Sequence, residues 1–550
     1  MRPQLRDAAY RWIADDPDHD DRAELQRVLA QALAGSQRQA AELADRLAGP
    51  LTFGTAGLRG PVRAGPNGMN RAVVVRTTAG LADWLLRHGR AGGIAVVGRD
   101  ARHRSELFCT TVAGVLAAAG FDVRVLPRPL PTPVLAFTVR RLGAVAGVQI
   151  TASHNPPADN GYKVYLDAGA QIVGPVDAEI EAAIAAVPAA VSVPTGSTWT
   201  ALGEDAVESY LDRVATLPCG TERALRVVLT PMHGVGGRTA LAALERAGFT
   251  DLHRVAEQFD PDADFPTVSF PNPEEPGATD LLLTLATTVD ADLAVALDPD
   301  ADRCALGVRE RDGHWRMLRG DETGALLGEH VLATLDRTAH PDPLVATTIV
   351  SSSLLGSIAA AHGARYDETL TGFKWIVRAG DGRGTGLVFG YEEALGLCVD
   401  PDHVRDKDGI SAAVLACDLA ASAKAAGESL LDRLDALALR HGLHLTDQVT
   451  VPLTGTGTAA MARLRTDLPA TLDGQPVAVE DLLPRTDGVR MAGDGLRVVV
   501  RPSGTEPKLK AYLQVVEQVR DAAELPDVRA QATGRLTALH KAVAALLGSL

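Results

Sequence analysis

A chain of 550 residues exceeds what one hydrophobic core supports, so we expect three to five domains. With 46% hydrophobic and 22% charged residues, the composition is ordinary for a soluble globular protein. The excess of 69 Asp and Glu over 54 Lys and Arg disfavours nucleic acid or an anionic membrane as the main partner.

The five cysteines are scattered and form no CxxC pair, so neither a disulfide framework nor a zinc site is indicated. The first residues have no apolar signal-peptide core, and no apolar stretch reaches membrane-spanning length. Together these features predict a soluble cytoplasmic protein.

The first 50 residues are predicted to be helical, because Ala, Leu, Glu and Arg recur at helical spacing from Asp21 to Leu47. The next segment, Phe53-Gly-Thr-Ala-Gly-Leu-Arg-Gly60, places several glycines around one arginine. Such a loop brings backbone close to a ligand while Arg59 offers a planar fork to phosphate. A glycine-rich turn with a surface arginine is the alternative interpretation, and this segment alone does not distinguish the two.

A pattern of strand, helix, glycine and returning strand occurs three times. A glycine after the last helical residue ends each helix, and strand–helix–strand units of this kind build mostly parallel sheets. The sequence therefore predicts three similar α/β domains. The closing glycines, which follow helices beginning near 105, 239 and 354, are Gly120, Gly248 and Gly363.

The segment Thr151-Ala-Ser-His-Asn-Pro156 follows an apolar run, Gly147 to Ile150, that is typical of a buried strand. Ser153 is thereby presented at the carboxyl end of a strand, where open α/β sheets bind their ligands. A hydroxyl beside the His154 imidazole, with the Lys163 ammonium ten residues on, is a candidate nucleophile. A polar turn whose serine only caps backbone groups is the competing interpretation.

A second apolar strand signal, Asp292 to Leu297, is followed directly by Asp298, Asp300 and Asp302. In extended chain these three carboxylates project to one side, and hard oxygen ligands suit Mg²⁺. An EF-hand fails because arginines occupy the places of its required glycine and its twelfth-position glutamate. A solvated acidic turn is the remaining alternative.

Three further loops offer groups for phosphate or sugar. Arg501-Pro-Ser-Gly-Thr-Glu-Pro-Lys508 supplies the Ser503 and Thr505 hydroxyls around Gly504, a combination that suits phosphate, although a hairpin tip with incidental charges would look the same. Gly390-Tyr-Glu-Glu-Ala-Leu-Gly396 offers carboxylates to sugar hydroxyls, and Thr371-Gly-Phe-Lys374 adds a lysine. The last two signals are weak when taken alone.

The C-terminal part departs from the repeat. It is predicted to contain two strands, near 495–500 and 509–516, and a helix from about Pro526 to Leu547. The expected fold is α/β, with three similar α/β domains of mixed, mostly parallel sheets and a C-terminal α+β domain around a central cleft. The expected domains are 1–200 with the serine loop, 201–318 with the metal loop, 319–440 with the sugar loop and 441–550 with the phosphate loop.

The chain contains no GxxxxGK[ST] and no GxSxG around Ser153, so neither a P-loop NTPase nor a nucleophile-elbow hydrolase is supported. The candidates that remain are a serine, carboxylates for a divalent cation and several separate phosphate loops. Together they indicate phosphoryl transfer to or from a small phosphorylated metabolite.

Five motifs in this order resemble the signature of the α-D-phosphohexomutases. The resemblance covers about residues 50–516 and is nearest to actinobacterial phosphomannomutase-type and phosphopentomutase-like members. The motifs are Gly54-Thr-Ala-Gly-Leu-Arg-Gly60, Thr151-Ala-Ser-His-Asn-Pro156, Asp298-Pro-Asp-Ala-Asp-Arg303, Gly390-Tyr-Glu-Glu-Ala-Leu-Gly396 and Arg501-Pro-Ser-Gly-Thr-Glu506.

The resemblance implies a phosphoserine at Ser153 and a Mg²⁺ held by its oxygen with Asp298, Asp300 and Asp302. It implies reversible phosphoryl movement between O1 and O6 of glucose or mannose phosphate through a sugar 1,6-bisphosphate, which also serves as activator. It assigns assistance of proton transfer near the hydroxyl to Arg59 and Lys163, with His154 as a catalytic residue beside the nucleophile. The residues it assigns to substrate binding are Arg303, Lys374, Glu392, Arg501, Ser503, Gly504 and Thr505. Ala394 departs from the serine that many hexomutases carry, which leaves the preferred sugar open.

Three alternatives stay open. A phosphopentomutase would use the same mechanism on a pentose. A Mg²⁺-dependent sugar phosphatase would use Asp298 as nucleophile, since a D-x-D at a strand end also suits aspartyl-phosphate chemistry. A catalytically silent sugar-phosphate binding protein would keep the loops without turnover. The expected partners are small sugar phosphates only, in a monomer or dimer.

Overall fold

The computed structural model describes residues 2–54, 57–453, 457–466, 468–472, 474–503 and 508–548. The chain forms two compact units. The first contains residues up to 309 together with 397–418, and the second contains 310–396 together with 419 onward.

The N-terminal segment is helical, as predicted, with helices α1 (Pro3–Asp15), α2 (His19–Leu33) and α3 (Gln37–Arg46). The Asp18 side chain caps α2 by accepting the amide N–H groups of Asp20 and Asp21. The apolar faces of the helices pack around Leu25, Leu29 and Leu43. Asp18 and Asp21 also accept hydrogen bonds from the guanidinium of Arg104, which ties this segment to the first sheet.

The first sheet has the order β1-β5-β4-β2-β3-β7, with β6 beside β5. Strand β2 is parallel to β3 and β4, whereas β5 is antiparallel to β4 and β1. The elements are β1 (Leu58–Pro61), α4 (Arg71–Arg87), β2 (Ile94–Arg99), α5 (Ser105–Ala118), β3 (Asp122–Val125), α6 (Thr132–Arg141), β4 (Ala146–Ile150), β5 (Asp159–Leu166), β6 (Ala170–Gln171), α7 (Val176–Ala185), β7 (Thr200–Ala201) and α8 (Asp205–Val214).

Four strands of the second sheet, β8 to β11, lie in the first unit. Strand β8 pairs in parallel with β9 and β10, and β11 is antiparallel to β10. All five residues of β10 are buried, which explains its uninterrupted apolar sequence. The elements are β8 (Arg226–Thr230), α9 (Gly236–Arg246), β9 (Asp251–Arg254), α10 (Ala256–Phe259), α11 (Asp280–Thr288), β10 (Leu293–Leu297) and β11 (Cys304–Arg309).

The second unit contains the third α/β sheet, in which β13 is parallel to both β14 and β15. The chain leaves this unit along β16 and returns along α15. The elements of this part are β12 (Trp315–Met317), α12 (Gly320–Thr334), β13 (Leu344–Thr348), α13 (Leu354–Ala361), β14 (Arg365–Thr369), α14 (Phe373–Ile376), β15 (Leu387–Glu392), β16 (Gly396–Cys398), α15 (Gly409–Ala425) and α16 (Leu430–His441).

The C-terminal sheet is antiparallel throughout, in the order β17-β23-β22-β21-β20, and α18 packs on β17 and β23. The predicted strand pair and final helix are confirmed. The elements are β17 (Leu443–Pro452), α17 (Gly457–Thr466), β18 (Thr471–Leu472), β19 (Gln475–Pro476), β20 (Ala478–Asp481), β21 (Val489–Gly493), β22 (Leu496–Pro502), β23 (Lys508–Glu517) and α18 (Leu525–Gly548).

The threefold strand–helix–glycine–strand pattern is confirmed in each α/β domain. The two strands of each copy pair in parallel, as β2 with β3, β8 with β9 and β13 with β14. Gly120, Gly248 and Gly363 all have positive φ, at 89°, 94° and 60°. A glycine recurs at these places because the chain must leave the helix through a left-handed residue.

Within the described ranges, no single helix is both long and apolar enough to cross a membrane. The bent pair α15 and α16 meets the length and composition requirement only when the two helices are taken together.

Candidate functional site

Ser153 lies in the loop between β4 and β5 and is 1% exposed. Its backbone N–H donates to Thr151 Oγ1 at 2.9 Å, and its φ of 54° is left-handed, which is uncommon for a residue with a Cβ. The Ser153 hydroxyl donates to Asp298 Oδ2 at 2.8 Å and lies 3.2 Å from Nδ1 of His154. The loop thus directs this hydroxyl at the acidic residues that follow β10.

Asp298, Asp300 and Asp302 are buried, and one oxygen of each lies within 4.8 Å of the others. The residue before α9 also contacts this acidic loop, because the Val235 N–H donates to the Pro299 carbonyl at 2.8 Å. A Cβ on Gly234 would stand 2.3 Å from Pro299 Cα, so only glycine permits this contact.

Lys163, on β5, is fully buried and donates to Asp300 Oδ2 at 2.6 Å and to Asp302 Oδ2 at 2.7 Å. Burial alone would lower the pKa of Lys163, but the two carboxylates outweigh it and raise the pKa above its ordinary value. The lysine therefore stays charged. The sequence predicted it near the serine, and the structure pairs it directly with the acids.

The three carboxyl groups differ in their pKa values although they share one loop. Burial, followed by the charges of Asp300 and Asp302, raises the pKa of Asp298 well above its ordinary value. Burial also acts to raise the pKa of Asp302, but the positive charges of Lys163, Lys407 and Arg303 outweigh it. The resulting pKa of Asp302 lies below the ordinary value. The repulsion among buried like charges is concentrated on Asp298, the acid that faces the serine.

The carboxylate loop fits a divalent metal ion. Within the described part of the chain, Asp300 Oδ1 and Asp302 Oδ1 are buried and accept no hydrogen bond. Asp298 accepts from the Arg303 N–H through Oδ1 at 3.0 Å and from Ser153 through Oδ2. Buried carboxylate oxygens without donors are costly, and hard oxygen ligands of this kind suit Mg²⁺.

The remaining cationic groups predicted for this region belong to the same unit. Arg59, on β1, donates to Asn155 Oδ1 at 3.3 Å, and Nε of Arg303 lies 3.8 Å from Asp302 Oδ1. Burial, together with the charges of Arg303 and Arg59, lowers the pKa of His154 well below its ordinary value. The His154 imidazole is consequently neutral at physiological pH.

The other predicted residues belong to the second unit. Lys374 lies in α14, Glu392 ends β15 and is 8% exposed, and Arg501 lies at the end of β22. Ser503 follows β22, where its N–H donates to the Lys508 carbonyl at 2.8 Å. Gly504 and Thr505 lie outside the described residues. The structure thus brings the predicted nucleophile, acids and neighbouring cations together and places the predicted sugar and phosphate contacts in a separate unit.

Beside Glu392, the carboxyl group of Glu393 accepts hydrogen bonds from Ser351 Oγ at 2.8 Å and from Thr348 Oγ1 at 3.0 Å. Burial, followed by the charge of Glu392, raises the pKa of Glu393 from 4.5 to about 7. Folding therefore favours the protonated form of Glu393. Its stabilisation is full below pH 4.5 and is lost as the pH rises through 7.

We expect Glu393→Gln, which keeps the size and neutrality of the protonated side chain, to remove this pH dependence. Relative to the variant, the wild type should lose up to about 3 kcal/mol of unfolding free energy between pH 5 and pH 8. Calorimetric unfolding across this range measures the difference, with the exposed Glu257→Gln as control. A constant difference between wild type and Glu393→Gln would contradict the prediction.

Two side chains of the site were not found from the sequence. Lys407 is 5% exposed, with Nζ 3.3 Å from Asp302 Oδ2, and Thr132 Oγ1 donates to Asp300 Oδ2 at 2.5 Å. A Cβ on Gly409 would lie 2.4 Å from the Arg303 carbonyl, so this glycine allows α15 to begin against the acidic loop. The run Asp406-Lys-Asp-Gly409 at a helix start was the available signal for Lys407, whereas Thr132 had none.

Comparison with known proteins identifies the family. Models of the three α/β domains and the C-terminal domain of phosphoglucomutase/phosphomannomutase match residues 50–190, 208–313, 319–438 and 460–531. The chain belongs to the phosphoglucomutase/phosphomannomutase family. It is therefore an enzyme of the mutase class, and the resemblance seen in the sequence motifs is confirmed.

Relatives of this chain are named as mutases of different sugars. A Haemophilus influenzae protein named "Probable phosphomannomutase" is 40% identical, over 81% of this chain and 93% of its own. The phosphoglucomutase of Staphylococcus epidermidis is 33% identical, over 84% and 90%, and the human phosphopentomutase is 32% identical, over 93% and 91%. The open form of pp63/parafusin, a phosphoglucomutase of Paramecium, shares the fold with a TM-score of 0.68 at 20% identity, over 90% and 95%.

Proposed function

We propose that this protein moves a phosphoryl group reversibly between O1 and O6 of a hexose phosphate, with Ser153 as the phosphoryl carrier. The observation that carries the proposal is the 2.8 Å hydrogen bond from the Ser153 hydroxyl to a buried three-carboxylate loop. A serine held against metal-ligand groups suits the formation and breakdown of a phosphoserine.

We assign Mg²⁺ to Asp298, Asp300 and Asp302, with an oxygen of phosphorylated Ser153 as a further ligand. Asp300 Oδ1 and Asp302 Oδ1, which are buried and accept no hydrogen bond within the described residues, support the assignment. When bound, the ion neutralises charge on the phosphoryl group as it is transferred. Lys163 remains paired with two of the acids and limits their mutual repulsion.

The first transfer takes place between Ser153 and the C6 hydroxyl of a hexose 1-phosphate. The hydroxyl oxygen bonds to phosphorus as the bond from Ser153 Oγ to phosphorus breaks, and the hydroxyl proton ends on Ser153 Oγ. The neutral His154 ring, 3.2 Å from Oγ, is placed to hold that proton, and we assign Arg59 and Lys163 to the same step. The product is a hexose 1,6-bisphosphate, and added bisphosphate serves as activator by rephosphorylating the serine.

The second transfer returns a phosphoryl group from O1 of the bisphosphate to Ser153 and releases the 6-phosphate. One sugar must therefore present either end to the same serine, which requires contacts that accept both orientations. We assign these contacts to Arg303 and to a second group from the other unit. That group comprises Lys374, Glu392, Arg501, Ser503, Gly504 and Thr505.

The proposed domains are 1–200, 201–318, 319–440 and 441–550, which divide these groups into a serine, a metal, a sugar and a phosphate domain. We further propose that the enzyme acts in the cytoplasm on small sugar phosphates alone, as a monomer or dimer. Gel filtration with light scattering tests the oligomeric state.

A panel of 1-phosphates tests the reaction and the sugar together. With Mg²⁺ and a bisphosphate activator, glucose 1-phosphate or mannose 1-phosphate should give its 6-phosphate, followed by phosphorus NMR. A pentose is the second candidate for two reasons. The human phosphopentomutase aligns with 93% of the chain at 32% identity, and Ala394 lacks the hydroxyl that a serine would offer in the sugar loop. Preferential conversion of ribose 1-phosphate would select it. No turnover of any member would overturn the proposal.

Ala394→Ser should shift the preference toward hexoses. One hydrogen bond of about 1 kcal/mol would raise the ratio of kcat/KM for glucose 1-phosphate over ribose 1-phosphate by about fivefold. Steady-state kinetics on both substrates measure the ratio, with Ala436→Ser on the exposed side of α16 as control. An unchanged ratio would show that position 394 does not contact the differing part of the sugar.

A further inference from the structure

Arg102, in the turn after β2, makes an unusual set of contacts with the Ser153 loop. Its side chain is buried, and its two terminal nitrogens donate to four backbone carbonyls of that loop. Nη2 donates to Ser153 at 2.7 Å and to Asn155 at 2.6 Å. Nη1 donates to Pro156 at 2.8 Å and to Asp159 at 3.2 Å.

These four contacts fix the backbone conformation of the Ser153 loop. A guanidinium group is planar and holds its donors at fixed spacing, so four carbonyls bound to it are fixed relative to one another. A lysine ammonium has one nitrogen and cannot reproduce the set. The residues bound in this way span the loop from the serine itself to the first residue of β5.

Arg102 is itself held in place from two sides. Asp100 accepts the Arg102 N–H at 3.0 Å through Oδ1, and its Oδ2 lies 3.4 Å from Nε. The Phe265 ring lies 4.9 Å from the guanidinium carbon. Asp100 also accepts from Ser105 Oγ at 2.6 Å, and that hydroxyl accepts from Asn160 at 2.9 Å. The turn after β2 thus contacts both the guanidinium and the far end of the loop.

The carbonyl that Arg102 binds at 2.7 Å belongs to Ser153, whose backbone is left-handed. A non-glycine residue keeps such a conformation only when surrounding contacts enforce it. The same conformation directs Ser153 Oγ toward Asp298. Arg102 contacts the loop through backbone carbonyls, so its effect on the hydroxyl is indirect.

We propose that Arg102 is a positioning residue that fixes the Ser153 loop in the conformation required for phosphoryl transfer. The inference deepens the proposed function and rests on Ser153 as carrier. Because a displacement of about 1 Å at a reacting group costs about 100-fold in rate, loss of the guanidinium should chiefly lower kcat.

The test compares Arg102→Lys and Arg102→Ala with wild-type enzyme. In single-turnover experiments, Arg102→Lys should transfer the phosphoryl group from Ser153 to glucose 1-phosphate at least about 100-fold more slowly. In steady-state kinetics, its KM for glucose 1-phosphate should change less than about threefold. Amide hydrogen exchange over residues 151–161 should become faster. Guanidinium ion at non-denaturing concentration should restore part of the Arg102→Ala rate.

Val96→Ala is the matched control, because it removes two fully buried methyl groups from the middle of β2. It should lower the melting temperature yet keep the transfer rate and ignore guanidinium. If the Arg102 variants do not fold, Asp100→Asn weakens the hold on Arg102 and should show the same changes at smaller size. Full transfer rate with unchanged exchange in Arg102→Lys would overturn the inference.

Failure of the proposed function is recognised separately. If wild-type Ser153 carries no phosphoryl group either before or after incubation with glucose 1,6-bisphosphate, the carrier assignment is wrong. Hydrogen exchange over residues 151–161 in the variants still decides whether Arg102 shapes this loop.

Discussion

Ser153→Ala will lower kcat by at least about 10⁴-fold, since removal of a nucleophile from a covalent mechanism leaves only the contributions of binding and electrostatics. The variant should also gain no phosphoryl group from a hexose 1,6-bisphosphate. Intact-mass analysis and peptide mapping of wild type should find that group on Ser153. The folded structure should survive, because alanine is smaller and the site keeps its other contacts.

Ser192→Ala removes an exposed hydroxyl in the same unit and should retain wild-type turnover and phosphorylation. If Ser153→Ala keeps full turnover, the phosphoserine mechanism is excluded, and a phosphatase with Asp298 as nucleophile becomes the better explanation. Release of inorganic phosphate with the phosphoryl label on Asp298 would support that explanation directly.

Lys163→Met will destabilise the first unit by about 3–5 kcal/mol when no divalent cation is present. The substitution removes the buried ammonium that donates to both Asp300 and Asp302, and it leaves two buried carboxylates facing each other. Mg²⁺ should recover more stability in the variant than in wild type, because it replaces the lost positive charge. Thermal unfolding with EDTA and with Mg²⁺ measures both effects.

Lys541→Met, at an exposed position of α18, serves as the control and should shift unfolding little under either condition. Equal stabilisation of wild type and Lys163→Met by Mg²⁺ would show that the ion does not share carboxylates with this lysine. Phosphoryl transfer by Lys163→Met should remain low even with Mg²⁺, since the side chain is also assigned to proton transfer.

Much of the fold and of the site followed from local patterns in the sequence. The apolar runs before Ser153 and before Asp298 are buried strands of two different sheets, and each presents its functional side chains at its carboxyl end. The helix-ending glycines gave the threefold repeat because their conformation is set by neighbours in the chain. Local rules were sufficient wherever the deciding contact lay within a few residues.

The remaining parts depend on contacts between distant segments. Lys163 was expected beside the serine, yet it pairs with acids 137 and 139 residues later in the chain. No local pattern indicated a role for Arg102, because its four acceptors lie 51 to 57 residues away. Periodicity reports which face of an element is buried, but it does not report which distant carbonyl or carboxylate a side chain contacts.

The ion pairs from Arg104 to Asp18 and Asp21 connect the N-terminal helices to the turn that contains Arg102. Arg104 stands two residues after Arg102, so deletion of α2 would leave the turn that contacts the Ser153 loop less firmly anchored. A shortened enzyme lacking this segment would still possess every reacting group and yet turn over slowly. The turnover rate of the mutase could then be adjusted through the N-terminal helices, without changing any reacting group.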